Sequence, residues 1–332
     1  MKSVSIPELS QFASDVLEGL SSTPKHLSSR YFYDDEGSRL FMEIMKLPEY
    51  YLTRAEMRVF TEQKGEICEA FSEGADAIDL IELGAGDGTK TAVLVEQLLT
   101  KGVDFTYQPI DISREANDAL AAKFHEKFPT LRIDPHTGDY FKVLGSLKRE
   151  TRRRKVLMFL GSNIGNFLRH RAVRFFLELR EVMNHNDRLF VGFDMQKDPR
   201  MILAAYDDAQ GVTSAFNLNL LRRINRELGA DFNLEKFSHY AQYRPIECAA
   251  RSYLISREKQ TVKIEALNRS FEFEQWEPVF MEISQKYTHA MIGELAGDGG
   301  FEIEREFFNQ EDFYIDSLWR VRSDYRDSKF QL

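Results

Sequence analysis

The segment Ile81–Thr91 reads Ile-Glu-Leu-Gly-Ala-Gly-Asp-Gly-Thr-Lys-Thr. Its first residues complete an apolar strand, and a helix-compatible stretch from Lys90 to Leu99 follows the three glycines. Glycine is required where the backbone takes positive φ, or where a ligand lies directly against the backbone. A turn of this kind also directs free backbone N–H groups toward a ligand above the sheet. The segment therefore predicts a ligand-binding turn between a strand and a helix.

The glycine spacing narrows the choice of ligand. Glu82 precedes a G-x-G-x-G pattern, which differs from the G-x-G-x-x-G of dinucleotide-binding proteins. Because a sulfonium cofactor has no pyrophosphate to hold, this spacing favours S-adenosylmethionine over NAD, with Gly84 and Gly86 as cofactor-binding glycines. A tight turn that binds no ligand stays open as the alternative.

Short apolar strands alternate with amphipathic helices from Ala77 to Asp194, which is typical of a parallel sheet covered on both faces. We therefore predict an α/β, Rossmann-like sheet that binds its ligand at the carboxyl ends of the strands. The predicted strands are Ile78–Leu83, Phe105–Asp111, a segment around Leu131–Ile133, Val156–Leu160 and Arg188–Asp194, with helices near 116–128 and 169–183.

The alternation stops after Asp194, and two further strands between Phe301 and Arg322 are expected to return to the sheet. We therefore expect a cofactor-binding domain of residues 62–195 plus 288–332. Residues 1–61 plus 196–287 are expected to form an inserted α+β substrate-binding cap. Its predicted elements are helices at 6–20, 37–45, 199–208 and 216–228, and strands at 249–255 and 261–267.

Composition excludes several classes of function. The net charge of −9 disfavours nucleic acid as a partner, and we expect the basic run between 148 and 155 to be a solvated loop. The two cysteines, Cys68 and Cys248, lie far apart, which indicates a reducing compartment and no zinc cluster. No segment is apolar enough to cross a membrane. We expect a cytoplasmic monomer that binds a small molecule and no metal.

Three segments at predicted strand ends carry candidate site residues. Asp111 ends the second strand, where it can accept both ribose hydroxyls of a cofactor or cap the next helix. Asp139 and Tyr140 suit the amine and face of adenine, although Gly-Asp is also a common turn. Gly161 and Asn166 follow the fourth strand and place amide groups near a reacting methyl. No Ser-His-Asp or Cys-His arrangement is recognisable.

Seven segments, in this order, resemble the histidine Nα-methyltransferase family of ergothioneine biosynthesis. They are Tyr31–Asp34, Leu47–Arg54, Glu82–Thr91, Leu160–Phe167, Ala215–Leu221, Arg226–Phe232 and Glu282–Ser284. The resemblance implies a class I methyltransferase fold that binds S-adenosylmethionine through Gly86, Lys90, Asp111 and Asp139.

The resemblance also implies roles on the substrate side. Asn166 and Tyr206 would hold the α-carboxylate and amine of the amino acid. Tyr33 and Tyr50 would line the amine side. Glu282 and Ser284 would bind the imidazole nitrogens. A Cys at 248, in the strand before this site, replaces a Met often found in relatives, which puts substrate preference in doubt.

The residues themselves support imidazole recognition. A carboxylate and a hydroxyl two residues apart on a strand share one face, so Glu282 can accept from the imidazole N–H and Ser284 can donate to its second nitrogen. A solvent-facing polar pair on an edge strand is the alternative. Tyr33, Asn166 and the Gly161 carbonyl are our candidates for orienting the amine. Aromatic walls that include Phe216 can stabilise a growing ammonium group.

Three other functions stay open at this point. The first is the same chemistry on another aromatic amino acid or amine, such as a tryptophan derivative. The second is a cofactor-binding regulator without turnover. The third is an NAD-dependent oxidoreductase, which the glycine spacing and the lack of a hydride-relay residue disfavour.

Overall fold

A computed structural model describes residues 9–147, 153–309 and 311–323. Most of the basic run at 148–155 and the start of the helix predicted at 6–20 lie outside these residues. The described chain contains ten α-helices and twelve strands. The helices are α1 (Gln11–Ser21), α2 (Asp35–Ile44), α3 (Leu52–Ser72), α4 (Thr91–Thr100), α5 (Arg114–Lys127), α6 (Tyr140–Ser146), α7 (Arg169–Glu181), α8 (Pro199–Tyr206), α9 (Val212–Leu228) and α10 (His289–Asp298). The strands are β1 (Ile78–Leu83), β2 (Phe105–Asp111), β3 (His136–Thr137), β4 (Arg154–Phe159), β5 (Arg188–Asp194), β6 (Phe237–Arg244), β7 (Ala249–Ser256), β8 (Gln260–Ile264), β9 (Arg269–Phe273), β10 (Pro278–Gln285), β11 (Phe301–Phe308) and β12 (Tyr314–Val321).

The chain divides into two compact units. The sheet unit comprises Leu52–Gln196 and Gln285–Leu332, and the small unit comprises Met1–Tyr51 and Lys197–Ser284. The expected boundary between residues 61 and 62 falls inside α3, a continuous helix that belongs to the sheet unit. The assignment of cofactor binding to one unit and substrate binding to the other stays a prediction.

The sheet unit is built on seven strands in the order β11-β12-β5-β4-β1-β2-β3. The strands β1 to β5 pair in parallel, and β12 runs antiparallel to both β5 and β11. Every residue of β1 is buried, because Leu80 and Ile81 pack into hydrophobic clusters on opposite faces of the sheet. The predicted α/β fold with a doubly covered sheet is confirmed.

The strand order reverses between β1 and β4, which lie side by side at the centre of the sheet. In open α/β sheets the ligand binds at the carboxyl ends of the strands on either side of such a reversal. The glycine turn follows β1 and Gly161 follows β4, so both segments lie at this point.

The strand predicted around Leu131–Ile133 is wrong. Ile133 forms only an isolated bridge to Tyr107, and β3 begins at His136. Pro135 has no N–H to donate and therefore interrupts the pairing with β2.

The small unit combines helices with a three-stranded sheet in the order β10-β7-β6 and a β8–β9 pair. Asp34 joins two of its helices. It caps α2 by accepting from the Gly37 N–H at 2.8 Å, and it accepts from Asn219 and Arg226 of α9, both at 2.7 Å. Partial burial opposes the ionisation of Asp34, but these hydrogen bonds hold its pKa below the usual value. Three segments of the family resemblance therefore meet at this carboxylate.

Within the described part of the chain, none of the helices has the length and apolar character that a membrane crossing requires.

Candidate cofactor and substrate sites

The glycine turn has the backbone that its sequence predicts. Gly84, Gly86 and Gly88 have φ values of 73°, 56° and 65°. A Cβ on Gly88 would lie 2.4 Å from Leu120, so this glycine is needed for packing against α5. A Cβ on Gly86 would meet nothing within 4 Å. The backbone at Gly86 is therefore open to a ligand, and the turn fits a cofactor that lies against it.

Three predicted cofactor residues share one electrostatic environment. Burial, and then the negative charges of Asp111 and Asp139, raise the pKa of Tyr140 to about 12. A Cβ on Gly84 would lie 2.9 Å from the Tyr140 hydroxyl oxygen, which places Tyr140 beside the glycine turn. The arrangement brings Gly84, Asp111, Asp139 and Tyr140 together.

For Asp111 and Asp139 the sequence also allowed purely structural roles, a helix cap and a turn, and these alternatives are partly correct. Asp139 caps α6 by accepting from the Phe141 N–H at 3.1 Å. Asp111 does not cap α5; Ser113 does, and Asp111 Oδ1 accepts from the Ser113 N–H at 2.9 Å. The Asp111 carboxylate makes no other hydrogen bond to the residues that the structure describes, so its second oxygen suits a ribose hydroxyl.

Lys90 is the residue that starts α4, and its ammonium pairs with Glu56 of α3. Glu56 is fully buried. Its Oε1 accepts from the Gly161 N–H at 2.8 Å and from the Tyr314 hydroxyl at 2.9 Å. Burial opposes the charge of Lys90, but the Glu56 carboxylate outweighs this effect and raises the pKa of Lys90.

The sequence reasoning missed Glu56. One signal was present: it lies among Leu52, Ala55, Val59 and Phe60, on the buried face of an amphipathic helix. A charged residue on such a face requires a buried partner.

Two more buried carboxyl groups lie near Lys90. Burial raises the pKa of Glu82 to about 7, although hydroxyl groups of Tyr107 and Thr91 donate to it at 2.6 and 2.8 Å. Burial, and then the charge of Glu56, raise the pKa of Asp316 well above its usual range. Neither carboxyl oxygen of Asp316 has a hydrogen-bond partner among the described residues. Burial and the neighbouring charge therefore both disfavour the ionised form of Asp316.

The loop after β4 is fixed by close contacts within the sheet unit. Gly161 and Ser162 both have positive φ, and a 3₁₀ helix (Asn163–Asn166) follows. Ser162 Oγ accepts from the Asp194 N–H at 3.0 Å. A Cβ on Gly165 would lie 2.9 Å from the carbonyl oxygen of Gln285, so only glycine fits there. This loop carries the candidate residues Gly161 and Asn166.

The small unit places the candidate imidazole residues on one strand face. Glu282 and Ser284 alternate along β10 with Met281 and Ile283, which are buried. The Tyr206 hydroxyl donates to Ser284 Oγ at 2.6 Å. Three of the predicted substrate residues are therefore in the same unit, and two of them are in direct contact.

An aromatic cluster in the small unit contains the other predicted side chains. Phe216 is buried, and its ring centroid lies 5.6 Å from Tyr33 and 5.9 Å from Phe41. Phe41 also contacts Tyr50, with centroids 6.1 Å apart. Phe32 lies 4.9 Å from Phe216. The sequence reasoning did not include Phe41 and Phe32, although both lie in or beside the segments that carry the resemblance.

We expected Cys248 to lie on a strand, and this prediction is wrong. It lies in the turn between β6 and β7 with φ of 51°, and its N–H donates to the Pro245 carbonyl. Pro245 cannot donate to the strand ladder, which favours a turn at this point.

The predicted substrate residues are divided between the units. Asn166 and Gly161 belong to the sheet unit, whereas the remaining ones belong to the small unit. They are Tyr33, Tyr50, Tyr206, Phe216, Glu282 and Ser284.

Comparisons with known proteins agree with the resemblance. A family model described as "Histidine-specific methyltransferase, SAM-dependent" matches residues 12–321. Histidine N-alpha-methyltransferases of Mycobacterium tuberculosis and Mycolicibacterium smegmatis are each 36% identical over 286 residues, covering 86% of this chain and 87% of the relative. Ergothioneine biosynthesis protein 1 of Neurospora crassa is 33% identical over 208 residues, covering 62% of this chain and 23% of that protein. The chain belongs to the histidine-specific, S-adenosylmethionine-dependent methyltransferase family.

Proposed function

We propose that this protein transfers methyl groups from S-adenosylmethionine to the α-amine of L-histidine and forms the Nα-trimethyl betaine, hercynine. This reaction is the first step of ergothioneine biosynthesis. The observation that carries the proposal is the strand face on which Ser284 accepts from Tyr206 beside Glu282, in a member of the histidine-specific family.

The chemistry of this face matches an imidazole. A neutral imidazole offers one N–H donor and one acceptor nitrogen. The Glu282 carboxylate can only accept, so it suits the donor. A serine hydroxyl can both accept and donate, so Ser284, which accepts from Tyr206 at 2.6 Å, has the chemistry to donate to the acceptor nitrogen. An indole has no second ring nitrogen and would leave Ser284 unmatched, which costs binding free energy in a buried site.

Further polar atoms of the small unit support a polar substrate. Asn217 Oδ1 of α9 is buried and has no hydrogen-bond partner among the described residues. His239 Nε2 of β6 is also buried without a partner in that part of the chain. Buried polar groups are normally satisfied by protein, water or ligand. These groups therefore fit a unit that binds a polar molecule.

The aromatic cluster of the small unit suits a product that carries a methylated ammonium group. Each transfer adds a methyl group to the amine, and the final product carries a permanent positive charge. The rings of Tyr33, Tyr50 and Phe216 can attract that charge through their faces. Tyr33 and Tyr50 pack edge-to-face against Phe41, and Tyr33 also packs edge-to-face against Phe216, which restricts how far these rings can move.

The residues of the sheet unit fit the cofactor, which supplies an electrophilic methyl group when bound. Asp111 would accept the ribose hydroxyls, and Asp139 with Tyr140 would hold the adenine. Lys90 would attract the carboxylate of the methionine portion. Asn166 and the Gly161 carbonyl would orient the substrate amine and exclude water from it. None of the candidate residues is assigned as a dedicated base, and the amine would lose its proton to water.

Calorimetric titration tests the substrate. L-Histidine is titrated into the protein with S-adenosylhomocysteine present, and then into Glu282→Gln and Ser284→Ala. We expect the parent protein to bind and each variant to lose about ten-fold in affinity, which corresponds to about 1.4 kcal/mol. Glu272→Gln, an exposed position on β9, serves as the matched control and is expected to bind as the parent does.

The same titration with L-tryptophan addresses the alternative substrate. Binding of tryptophan but not histidine would retain the methyltransferase and reject histidine. Mass spectrometry of the reaction with histidine then counts the methyl groups, and we expect three.

A further inference from the structure

We propose that Glu56 is a positioning residue of the cofactor site, which holds Lys90 and the loop at Gly161 in fixed relation to each other. The proposal rests on the assignment of Lys90 to the cofactor within the proposed function. Glu56 lies outside all the motifs that the sequence singled out.

The geometry gives one carboxylate two functional partners. Oε2 pairs with the Lys90 ammonium, which follows β1, and Oε1 accepts from the Gly161 N–H, which follows β4. A Cβ on Gly161 would lie 3.4 Å from Lys90 Nζ, so the two segments are in close contact. The Tyr314 hydroxyl completes the coordination of Oε1. Glu56 therefore links the two strand ends between which the strand order reverses.

Neighbouring acids do not replace Glu56 in this role. Neither carboxyl oxygen of Asp316 has a hydrogen-bond partner among the described residues, and burial and the charge of Glu56 raise its pKa well above the usual range. Glu82 is engaged by the hydroxyl groups of Thr91 and Tyr107. Among the described residues, Glu56 is the carboxylate in contact with the Lys90 ammonium.

The burial of Glu56 indicates a role other than stabilising the folded protein. A buried ion pair costs desolvation free energy that its attraction often fails to recover, whereas apolar residues at the same place would pack without this cost. A pair retained in spite of this cost orients the ammonium. We infer that Glu56 keeps Lys90 directed at the position that the cofactor carboxylate takes.

The test measures binding of S-adenosylhomocysteine by calorimetry without histidine, so that it does not depend on the substrate. Glu56→Gln keeps the side-chain shape but removes the charge that orients Lys90. We expect about ten-fold weaker binding in Glu56→Gln and in Lys90→Met, and no further loss in the double variant, because the two residues act as one unit.

A buried ion pair at the opposite ends of the strands supplies the control. Asp187 pairs with Lys155 at 3.4 Å and accepts backbone N–H groups of residues 155 and 184. Asp187→Asn therefore removes a matched charge at the start of β4 and β5. We expect it to lower the melting temperature and to leave the affinity for S-adenosylhomocysteine within about two-fold of the parent value.

Each outcome decides one point. Parental affinity in Glu56→Gln, or losses that add in the double variant, would overturn the positioning role and leave the proposed function intact. Failure of the parent protein to bind S-adenosylhomocysteine would overturn both. If Glu56→Gln does not fold, Glu56→Asp replaces it. This variant keeps the charge on a shorter side chain, and its loss of affinity must also vanish in the Lys90→Met background.

Discussion

Replacement of Glu82 by Gln should make the stability of this protein less dependent on pH. Glu82 is the acid that ends β1 before the glycine turn, and it is buried. Tyr107 and Thr91 donate hydrogen bonds to it. Burial nevertheless dominates and raises its pKa to about 7 from the ordinary value of 4.5.

The direction in which stability changes with pH follows from proton linkage. Between pH 4.5 and about 7 the folded protein keeps the Glu82 proton, whereas the unfolded chain releases it. Unfolding therefore releases a proton, and rising pH favours unfolding throughout this range. The difference between the two pKa values corresponds to about 3 kcal/mol of stability, which is lost by pH 8. Glutamine does not titrate and escapes this loss.

Urea unfolding between pH 5 and pH 8.5 measures the effect. We expect the unfolding free energy of Glu82→Gln, relative to the parent, to rise by about 2.5 kcal/mol from pH 5 to pH 8, because a smaller part of the total is already lost by pH 5. Glu96→Gln, at an exposed position of α4, controls for the loss of one negative charge. If the difference in unfolding free energy between Glu82→Gln and the parent stays constant over this pH range, the pKa of Glu82 is not raised in the folded protein.

Two glycines of the turn and one helix cap allow three further predictions. Gly88→Ala should cost about 2–4 kcal/mol in thermal unfolding, because its Cβ would lie 2.4 Å from Leu120 at positive φ; an unchanged melting temperature would contradict this. Gly86→Ala meets no neighbouring atom, so calorimetry should show weaker S-adenosylhomocysteine binding with a stability loss of only about 1 kcal/mol. Asp34→Asn keeps the cap of α2 but loses the ion pair with Arg226, at a cost of about 1 kcal/mol at pH 7. Because the native pKa of Asp34 is lowered, urea unfolding should show this cost disappearing as the pH falls below the ordinary carboxyl pKa.

The sequence predicts the sheet well because its strands are buried on both faces. Continuous apolar runs gave β1, β2 and β5 with the bounds observed. The third strand could not be placed this way, since β3 has two residues and its position depends on pairing with β2 rather than on its own composition. The sequence analysis also did not predict α3 as one continuous helix.

The site was predictable where function requires a local motif, and not where it requires tertiary partners. Glycine adopts positive φ more readily than other residues, so the three glycines indicate the backbone of the turn from the sequence alone. The position of Glu56 on the apolar face of α3 indicates a buried partner, but only the fold shows which groups these are, since they follow β1, follow β4 and lie on β12. Likewise, the contact of Asp34 with Asn219 and Arg226 joins segments that are far apart in the chain. The family resemblance identified all three segments without showing why they occur together.

The sheet unit also anchors the two places where the chain leaves it and returns. Asp194 ends β5, and its carboxylate pairs with Lys286 at 2.7 Å in complete burial. The backbone of Tyr287 bonds to both Asp194 and Gln196 at 2.8 Å, so the departing and returning segments run side by side. The loop that carries Asn166 packs on the same segments, through the Ser162 hydroxyl to the Asp194 N–H. Breaking such a buried pair is costly, so Lys286 fixes the returning segment against the end of β5 within the sheet unit.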